Sequence, residues 1–251
     1  MSLRKRVMAG EVVLGSMVFE FFSPGMAQIM KRAGCEYVIY DMEHTGLGYE
    51  TVKAQVAACR GIGVAPMARV PRSDYAFLAR ALDIGCEGVM IPMVNTADEA
   101  RAIVDACRYP PVGRRGAAFG FAHDHYEGGS PVDKIKAANK RNLVIAQIET
   151  EHGLANVEDI AAVDGIDVLW VGHFDLTNFL GIPGEFDNKT YTDALKRVVK
   201  AGRKHGKGLG FMASDTTWAS EDKAHGVNLL AAGPDHGLWM AGGAGLLGCV
   251  R

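Results

Sequence analysis

Eight short apolar runs, rich in β-branched residues, alternate along this chain with longer, alanine-rich amphipathic stretches. Such runs are typical of buried parallel strands, and amphipathic stretches are typical of the helices that join them. The predicted strands begin at Val12, Tyr37, Ala65, Gly88, Leu143, Val168, Leu209 and Val227. Eight strand–helix pairs in 251 residues favour an α/β fold with one (β/α)₈ barrel domain spanning residues 1–251. No Gly-x-Gly-x-x-Gly turn follows the first run to favour a dinucleotide-binding sheet instead.

Helix boundaries carry signals of their own. Thr96 and Glu99 have the spacing of a capping box, and Asp74 precedes another amphipathic stretch. Glycines end several predicted helices, at Gly34, Gly85, Gly206 and Gly226. The exception to the regular alternation is residues 110–141, an irregular insertion that ends in a lysine-rich helix. A connection of this length is usually a functional loop or an interface element.

Charge and cysteine content exclude several classes of protein. The 27 basic and 29 acidic residues give a formal net charge of −2, which offers no electrostatic reason to expect nucleic acid or an anionic membrane as a partner. The five cysteines are widely spread, as expected for buried thiols in a reducing compartment. No apolar run has the length of a signal-peptide core or a membrane span. We therefore expect a cytoplasmic protein with a small-molecule substrate.

Polar side chains collect where the predicted strands end. Glu149 closes the fifth strand on the same side as Gln147, and Asp175 lies just past the sixth. Two carboxylates on adjacent strand ends suit a hard divalent cation such as Mg²⁺. Because barrel active sites lie at these ends, the pattern predicts a metal-dependent enzyme. The other polar residues at strand ends are Glu20, Asp41, Glu43, His44, Arg69 and His173.

Two alternatives to this site have sequence features of their own. The charges at the strand ends could form internal salt bridges, such as Arg69 with Glu149. His123, Asp124 and His125 in the insertion could bind a metal, although such residues on a glycine-flanked loop are more typical of a solvated patch. A lysine Schiff base is not favoured, because Lys207 precedes its strand and the other lysines fall on helices or loops.

Seven motifs, spread in order over the whole chain, resemble those of the HpcH/HpaI aldolase family. They are DMEH from Asp41, MARVP around Arg69, LDIG around Asp83, MIPMVNTADEAR from Met90, YPPVGRRG from Tyr109, QIET from Gln147 and VGHFDL from Val171. The resemblance implies a (β/α)₈ barrel and a homohexamer. It also implies a class II aldolase that uses Mg²⁺, Mn²⁺ or Co²⁺ to cleave a 4-hydroxy-2-oxo acid to pyruvate and an aldehyde.

The resemblance also assigns roles in binding the metal and the keto acid. Glu149 and Asp175 match the metal ligands, and Asp175 therefore also borders the substrate. Glu43 matches a group that holds a metal-bound water, and Arg69 matches the arginine that contacts the keto oxygen. The chemistry requires such groups, because breaking the C3–C4 bond leaves an enolate that a Lewis acid and a fixed cation stabilise.

The remaining implied roles concern pyruvate binding and proton transfer. Gln147, Gly172 and Phe174 match the pyruvate-binding positions. His44 matches the general base that takes the proton of the 4-hydroxyl group, as a histidine can near neutral pH. Asp83 matches the acid that raises the basicity of this histidine.

Departures from the family pattern leave the aldehyde open. The family has a glycine at Met42, an alanine at Phe174 and an Arg-Trp pair in the loop at 123–126, so the mouth of the site is bulkier or less basic here. A citrate-lyase-like or malyl-CoA-type lyase remains an alternative, although Arg114 and Arg115 are the only clustered candidates for a CoA groove.

A non-catalytic metal-binding barrel is a further alternative. It would bind metal without catalysing exchange of the pyruvate methyl protons. The C-terminal run LWMAGGAGLLGCV is unusually apolar for a terminal helix, which favours packing against a neighbouring copy.

Overall fold

Within residues 1–250, the range described by the computed structural model apart from the side chain of Asp222, eight parallel strands pair in sequence order and close into a barrel. This confirms the predicted (β/α)₈ fold. Observed and predicted strands begin within two residues of each other. The strands are β1 Val13–Val18, β2 Tyr37–Asp41, β3 Ala65–Arg69, β4 Gly88–Ile91, β5 Leu143–Ile148, β6 Val168–Val171, β7 Gly208–Ala213 and β8 Leu229–Pro234.

Helices surround the barrel and connect successive strands. They are α1 Leu3–Met8, α2 Met26–Arg32, α3 Tyr49–Cys59, α4 Tyr75–Asp83, α5 Ala97–Cys107, α6 Pro131–Arg141, α7 Glu151–Ala155, α8 Val157–Ala161, α9 His173–Phe179, α10 Lys189–Lys204, α11 Thr216–Ala224 and α12 Asp235–Gly248. Across the described residues, none of these helices combines the length and apolarity needed to cross a membrane.

The strands are buried on both faces, which explains why their sequences read as continuous apolar runs. In β2, Tyr37 and Ile39 pack inside the barrel, whereas Val38 and Tyr40 pack between the sheet and the helices. This alternation follows from the two-residue period of a strand. It places the side chains that end each strand at one rim.

The predicted helix signals are largely confirmed. The side chain of Thr96 accepts from the N–H of Glu99 in a reciprocal capping box. The glycines that end helices adopt left-handed backbone conformations, with φ from 63° to 105° at Gly34, Gly85, Gly206 and Gly226. Asp74 marks the start of α4 without forming a side-chain cap.

The insertion lies at the end of the barrel where the strands begin, because α5 runs against the strand direction and ends there. Buried Arg108 anchors it by donating to Asp167 over 2.7 Å. The prediction of a solvated patch is wrong for His123, which is 4% exposed, with neither ring nitrogen hydrogen-bonded. Its neighbour Asp124 is paired with Lys134 over 2.6 Å.

The C-terminal helix α12 is apolar but exposed. Leu238, Trp239, Met240 and Leu246 are 48–77% accessible. Within this helix, all of it described, only Asp235 is buried. Such a face is unusual for a surface that meets only water.

Candidate active site

Side chains that follow or end β2, β3, β5 and β6 meet at the C-terminal rim of the barrel. A cavity of about 270 Å³ opens there, lined by residues of β1, β3, β5, β6, β7 and β8. Six of the predicted site residues line it, namely His44, Arg69, Gln147, Gly172, Phe174 and Asp175. Glu43 and Glu149 lie directly behind these residues and contact them.

Arg69, the last residue of β3, is held by two carboxylates from the end of β2. Its Nε donates to Oδ1 of Asp41 over 2.5 Å and lies 3.2 Å from Oε2 of Glu43. Asp41 is completely buried and also accepts the N–H of His44 over 2.9 Å. The guanidinium lies 5.6 Å from the ring centroid of Phe19. Asp41 and Glu43 therefore orient Arg69, and not the salt bridge to Glu149 that the sequence also allowed.

Glu149 is 1% exposed at the end of β5, and both carboxylate oxygens are engaged. Its Oε1 accepts the N–H of Met93 over 2.7 Å, and its Oε2 accepts from the amide of Gln147. The backbone of Gly172 packs against the same carboxylate so closely that a Cβ there would lie 2.1 Å from Oε2. Only glycine fits between β6 and this carboxylate.

Burial makes two carboxylates of this site, Glu149 and Glu43, hard to ionise. It raises the pKa of Glu149 to about 7, opposed by the N–H of Met93 and reinforced by repulsion from Glu43 and Asp175. The pKa of Glu43 is also raised to about 7 by burial, opposed by Arg69 and reinforced by Asp41 and Asp175. Acidic groups that repel one another in a buried site are poised to bind a cation.

The donor set fits a divalent cation that retains open positions. Among the residues described, no three or more His, Cys, Asp or Glu side chains are grouped to hold a metal alone. Glu149 and Asp175 supply two carboxylates, and Mg²⁺ is commonly bound by one or two carboxylates with water and substrate oxygens. Oε1 of Gln147 is buried without a hydrogen-bond partner, as expected around a site that a polar ligand completes.

His44 stands at the mouth, whereas Asp83 does not. The His44 side chain is 55% exposed, with Nε2 3.6 Å from Oε2 of Glu43. Asp83 ends α4, and barrel helices run against the strands, so it lies at the opposite end of the molecule. There it accepts from Arg115 over 2.5 Å. Within one chain the structure does not bring Asp83 to His44.

The structure adds an aromatic cluster that sequence reasoning missed. Buried His173 has ring centroids 4.8 Å from Phe174, 5.1 Å from Phe211 and 5.3 Å from Trp218. Burial lowers the pKa of His173 to about 4, so this ring is neutral near pH 7. These partners come from three segments of chain, and no local pattern joins them.

Asp235, at the start of α12, was also not predicted from the sequence to have a role. Its buried carboxylate accepts N–H bonds from Phe19, Glu20 and Phe21 over 2.8–3.1 Å. It thereby fixes the loop after β1 against β8. The neighbouring His236 lines the cavity and meets Phe19 edge-on, with centroids 5.8 Å apart.

The whole barrel, including this rim, matches a known family. The sequence profile of the HpcH/HpaI aldolase/citrate lyase family matches residues 16–241. The chain belongs to this family. The match confirms the resemblance carried by the seven motifs, and it places the chain among lyases of the aldolase and citrate lyase type.

Relatives within the HpcH/HpaI family span nearly the whole chain. A hydroxypyruvate/pyruvate aldolase from Roseovarius nubinhibens is 32% identical over 93% of this chain and 90% of its own length. A 5-keto-4-deoxy-D-glucarate aldolase from Salmonella arizonae is 32% identical over 88% of this chain and 85% of its own length. The crystal structure of an HpcH/HpaI aldolase from Desulfitobacterium hafniense superposes with a TM-score of 0.95 at 29% identity, covering 100% of this chain and 96% of that one.

Proposed function

We propose that this protein is a divalent-metal-dependent class II aldolase that reversibly cleaves a 4-hydroxy-2-oxo acid to pyruvate and an aldehyde. The observation that carries the proposal is the buried carboxylate of Glu149, raised in pKa by burial and by repulsion from Asp175, at the same barrel rim as the fixed guanidinium of Arg69. Two relatives of similar length are named aldolases, which supports the reaction class.

The keto-acid half of the substrate would bind between β3, β5 and β6. Arg69, aimed by Asp41, would hold the negative charge that develops on the 2-oxo oxygen. A divalent cation bound by Glu149 and Asp175 (Mg²⁺, Mn²⁺ or Co²⁺) would supply Lewis-acid chemistry at the same oxygen. Gln147 would orient the acid through the second N–H of its side-chain amide, since the first is donated to Glu149.

The backbone after β6 would receive the substrate carboxylate. Phe174 lies in the first turn of α9, where N–H groups have no partner within the helix. The N–H of Gly172 already donates to the carbonyl of Ile148 over 3.3 Å. Because Gly172 has no Cβ, its role would be to let the substrate approach the backbone closely.

Proton transfer is proposed to begin at His44. Its ring would take the proton of the 4-hydroxyl group as the C3–C4 bond breaks, so that the aldehyde leaves and the bonding electrons remain as the pyruvate enolate. Protonation of C3 then gives pyruvate. Glu43, with Oε2 3.6 Å from Nε2 of His44, would accept a hydrogen bond from a water molecule bound to the cation.

The role proposed for Asp83 requires a second copy of the chain. Asp83 and His44 lie at opposite ends of one barrel, and both are accessible at 42% and 55% of their side-chain surface. A contact between copies is the arrangement that would bring them together. The exposed apolar face of α12 supports a homo-oligomer, which we propose is a hexamer as in the family.

A CoA-dependent lyase receives no support from the proposed basic groove. Arg115 is buried against Asp83, and Arg114 lies 3.6 Å from Asp105. Arg115 is therefore unavailable to a nucleotide, and exposed Arg114 alone does not form a basic groove. We therefore favour the aldolase over a malyl-CoA-type reaction.

The decisive experiment is proton–deuterium exchange at the pyruvate methyl group, followed by NMR in D₂O. We expect exchange that EDTA abolishes and that Mg²⁺ or Mn²⁺ restores, and we expect Glu149→Gln to abolish it in a folded protein. Exchange that persists in EDTA would contradict the metal dependence. Its absence under every metal would contradict the aldolase proposal and favour a CoA-type or non-catalytic barrel.

A further inference from the structure

An exposed phenyl ring stands at the rim of the candidate site. Phe174 is 63% exposed, although its ring is packed on one side against His173 at 4.8 Å and edge-on against Phe186 at 5.2 Å. Packing on one side holds the ring in place and leaves the other side open. An apolar surface held in this way beside a cavity is typical of a ligand contact.

The facing wall of the cavity, all of it described, contains no carboxylate, lysine or arginine. It consists of Phe19 in the loop after β1, Met212 of β7, Pro234 of β8 and His236 at the start of α12. The three N–H bonds from the segment at 19–21 to Asp235 hold this wall in position. The rim therefore presents two apolar surfaces across the cavity, both fixed by contacts behind them.

No described lysine or arginine is free at this rim to bind a second carboxylate. Of the described side chains that line the cavity, Arg69 is the only lysine or arginine, and it is engaged by Asp41 and Glu43. The divalent cation proposed at Glu149 and Asp175 would be taken up by the keto-acid half of the substrate. A carboxylate packed against the apolar groups of the rim would lose water without gaining a fixed cationic partner, which is unfavourable.

We propose, on the basis of the proposed function, that the aldehyde partner is uncharged and carries an apolar group. That group lies on the open face of Phe174, across from Phe19 and Met212. The semialdehyde of a dicarboxylic acid is disfavoured because its second carboxylate would meet these apolar groups. Phe174 and Met212 are thus specificity-determining residues for the aldehyde half of the reaction.

Two aldehydes of nearly the same shape test the inference. Succinic semialdehyde and 4-methylpentanal differ by a terminal carboxylate in place of an isopropyl group. With pyruvate and Mn²⁺ saturating, we expect kcat/KM for aldol addition to be at least about tenfold higher for 4-methylpentanal. Equal or reversed preference in an enzyme that catalyses methyl exchange would overturn this inference alone. Absence of methyl exchange would instead overturn the proposed function and this inference with it.

Variants test the roles of Phe174 and Met212. For each variant we compare kcat/KM for 4-methylpentanal with kcat/KM for succinic semialdehyde, because a loss of pyruvate binding affects both values equally and cancels in their ratio. Phe174→Ala should reduce the preference about fivefold or more, and Met212→Arg should shift it toward succinic semialdehyde by a similar factor. Phe179→Ala is the matched control, since Phe179 is a 41% exposed phenylalanine of the same helix that does not line the cavity. A wild-type ratio in both Phe174→Ala and Met212→Arg would contradict the assignment.

Discussion

Replacing Gly172 by alanine is the sharpest test of how the acidic site is built. An alanine Cβ would lie 2.1 Å from Oε2 of Glu149 and 2.7 Å from Nε2 of Gln147. Non-bonded heavy atoms settle near 3.5 Å, so the Glu149 carboxylate would have to retreat by roughly 1 Å or more. The backbone angles of Gly172, φ −87° and ψ 86°, are not left-handed. The expected effect is therefore steric.

A displacement of this size should affect chemistry more than folding. A misplacement of about 1 Å costs on the order of 100-fold in rate, whereas overpacking costs about 1–3 kcal/mol of stability. We expect Gly172→Ala to lower the rate of pyruvate methyl exchange about 100-fold and to weaken Mn²⁺ binding. Circular dichroism should show a folded barrel with a reduced melting temperature.

The matched control is Gly128→Ala. No atom lies within 4 Å of a Cβ at Gly128, and its φ is outside the left-handed region. This variant should keep wild-type exchange, Mn²⁺ affinity and melting temperature. If Gly172→Ala kept an exchange rate within threefold of wild type, the contact between this glycine and Glu149 would not position the carboxylate, and the reasoning would be wrong.

Three further outcomes follow from the charges and their positions. In EDTA, the free energy of unfolding should fall between about pH 4.5 and pH 7, because Glu149 and Glu43 both have a higher pKa in the folded protein than when unfolded. Urea unfolding across this range checks it, and the fall should be smaller in Glu149→Gln by on the order of 2–3 kcal/mol. Asp167→Ala should cost about 3 kcal/mol by leaving the buried guanidinium of Arg108 without its carboxylate, as measured by urea unfolding. Inactive His44→Ala and Asp83→Ala proteins, unfolded together and refolded, should regain part of the activity, because mixed oligomers would contain sites with both native residues.

Controls for these outcomes come from the same chain. Asp164→Ala removes an exposed carboxylate three residues from Asp167 and should change stability by less than about 0.5 kcal/mol. A pH dependence identical in wild type and Glu149→Gln would assign it to another group. Refolded mixtures no more active than either variant alone would contradict a site shared between copies.

Local sequence patterns predicted the strands, several helix ends and the placement of Gln147 and Glu149 on the same side of β5. Burial on both faces makes each strand a continuous apolar run, so all eight strands were recognisable. The two-residue period of a strand placed Gln147 and Glu149 on one side, where the structure joins them by a hydrogen bond. The capping box at Thr96 involves residues three apart and was visible for the same reason. The spacing of these features is set by the geometry of a single element.

The sequence did not predict contacts between residues on different strands and helices, because such contacts depend on which elements are neighbours in the fold. The ion pair between Asp41 and Arg69 joins residues 28 apart, and the bond from Phe19 to Asp235 joins residues 216 apart. The register of β2 against β3 sets the first contact, and closure of the barrel between β1 and β8 sets the second. Asp83 illustrates the converse, since its helix-end sequence was recognisable but its implied partner lies at the other end of the barrel.

The sequence by itself thus determined the elements, their order and the acidic residues at the strand ends, since each depends on a period of two or about four residues. Only the tertiary structure decided which carboxylate orients Arg69, which glycine supports Glu149 and which aromatic rings form the rim. Those contacts depend on strand register and on the end of the barrel where each residue lies, and neither is encoded in a local pattern.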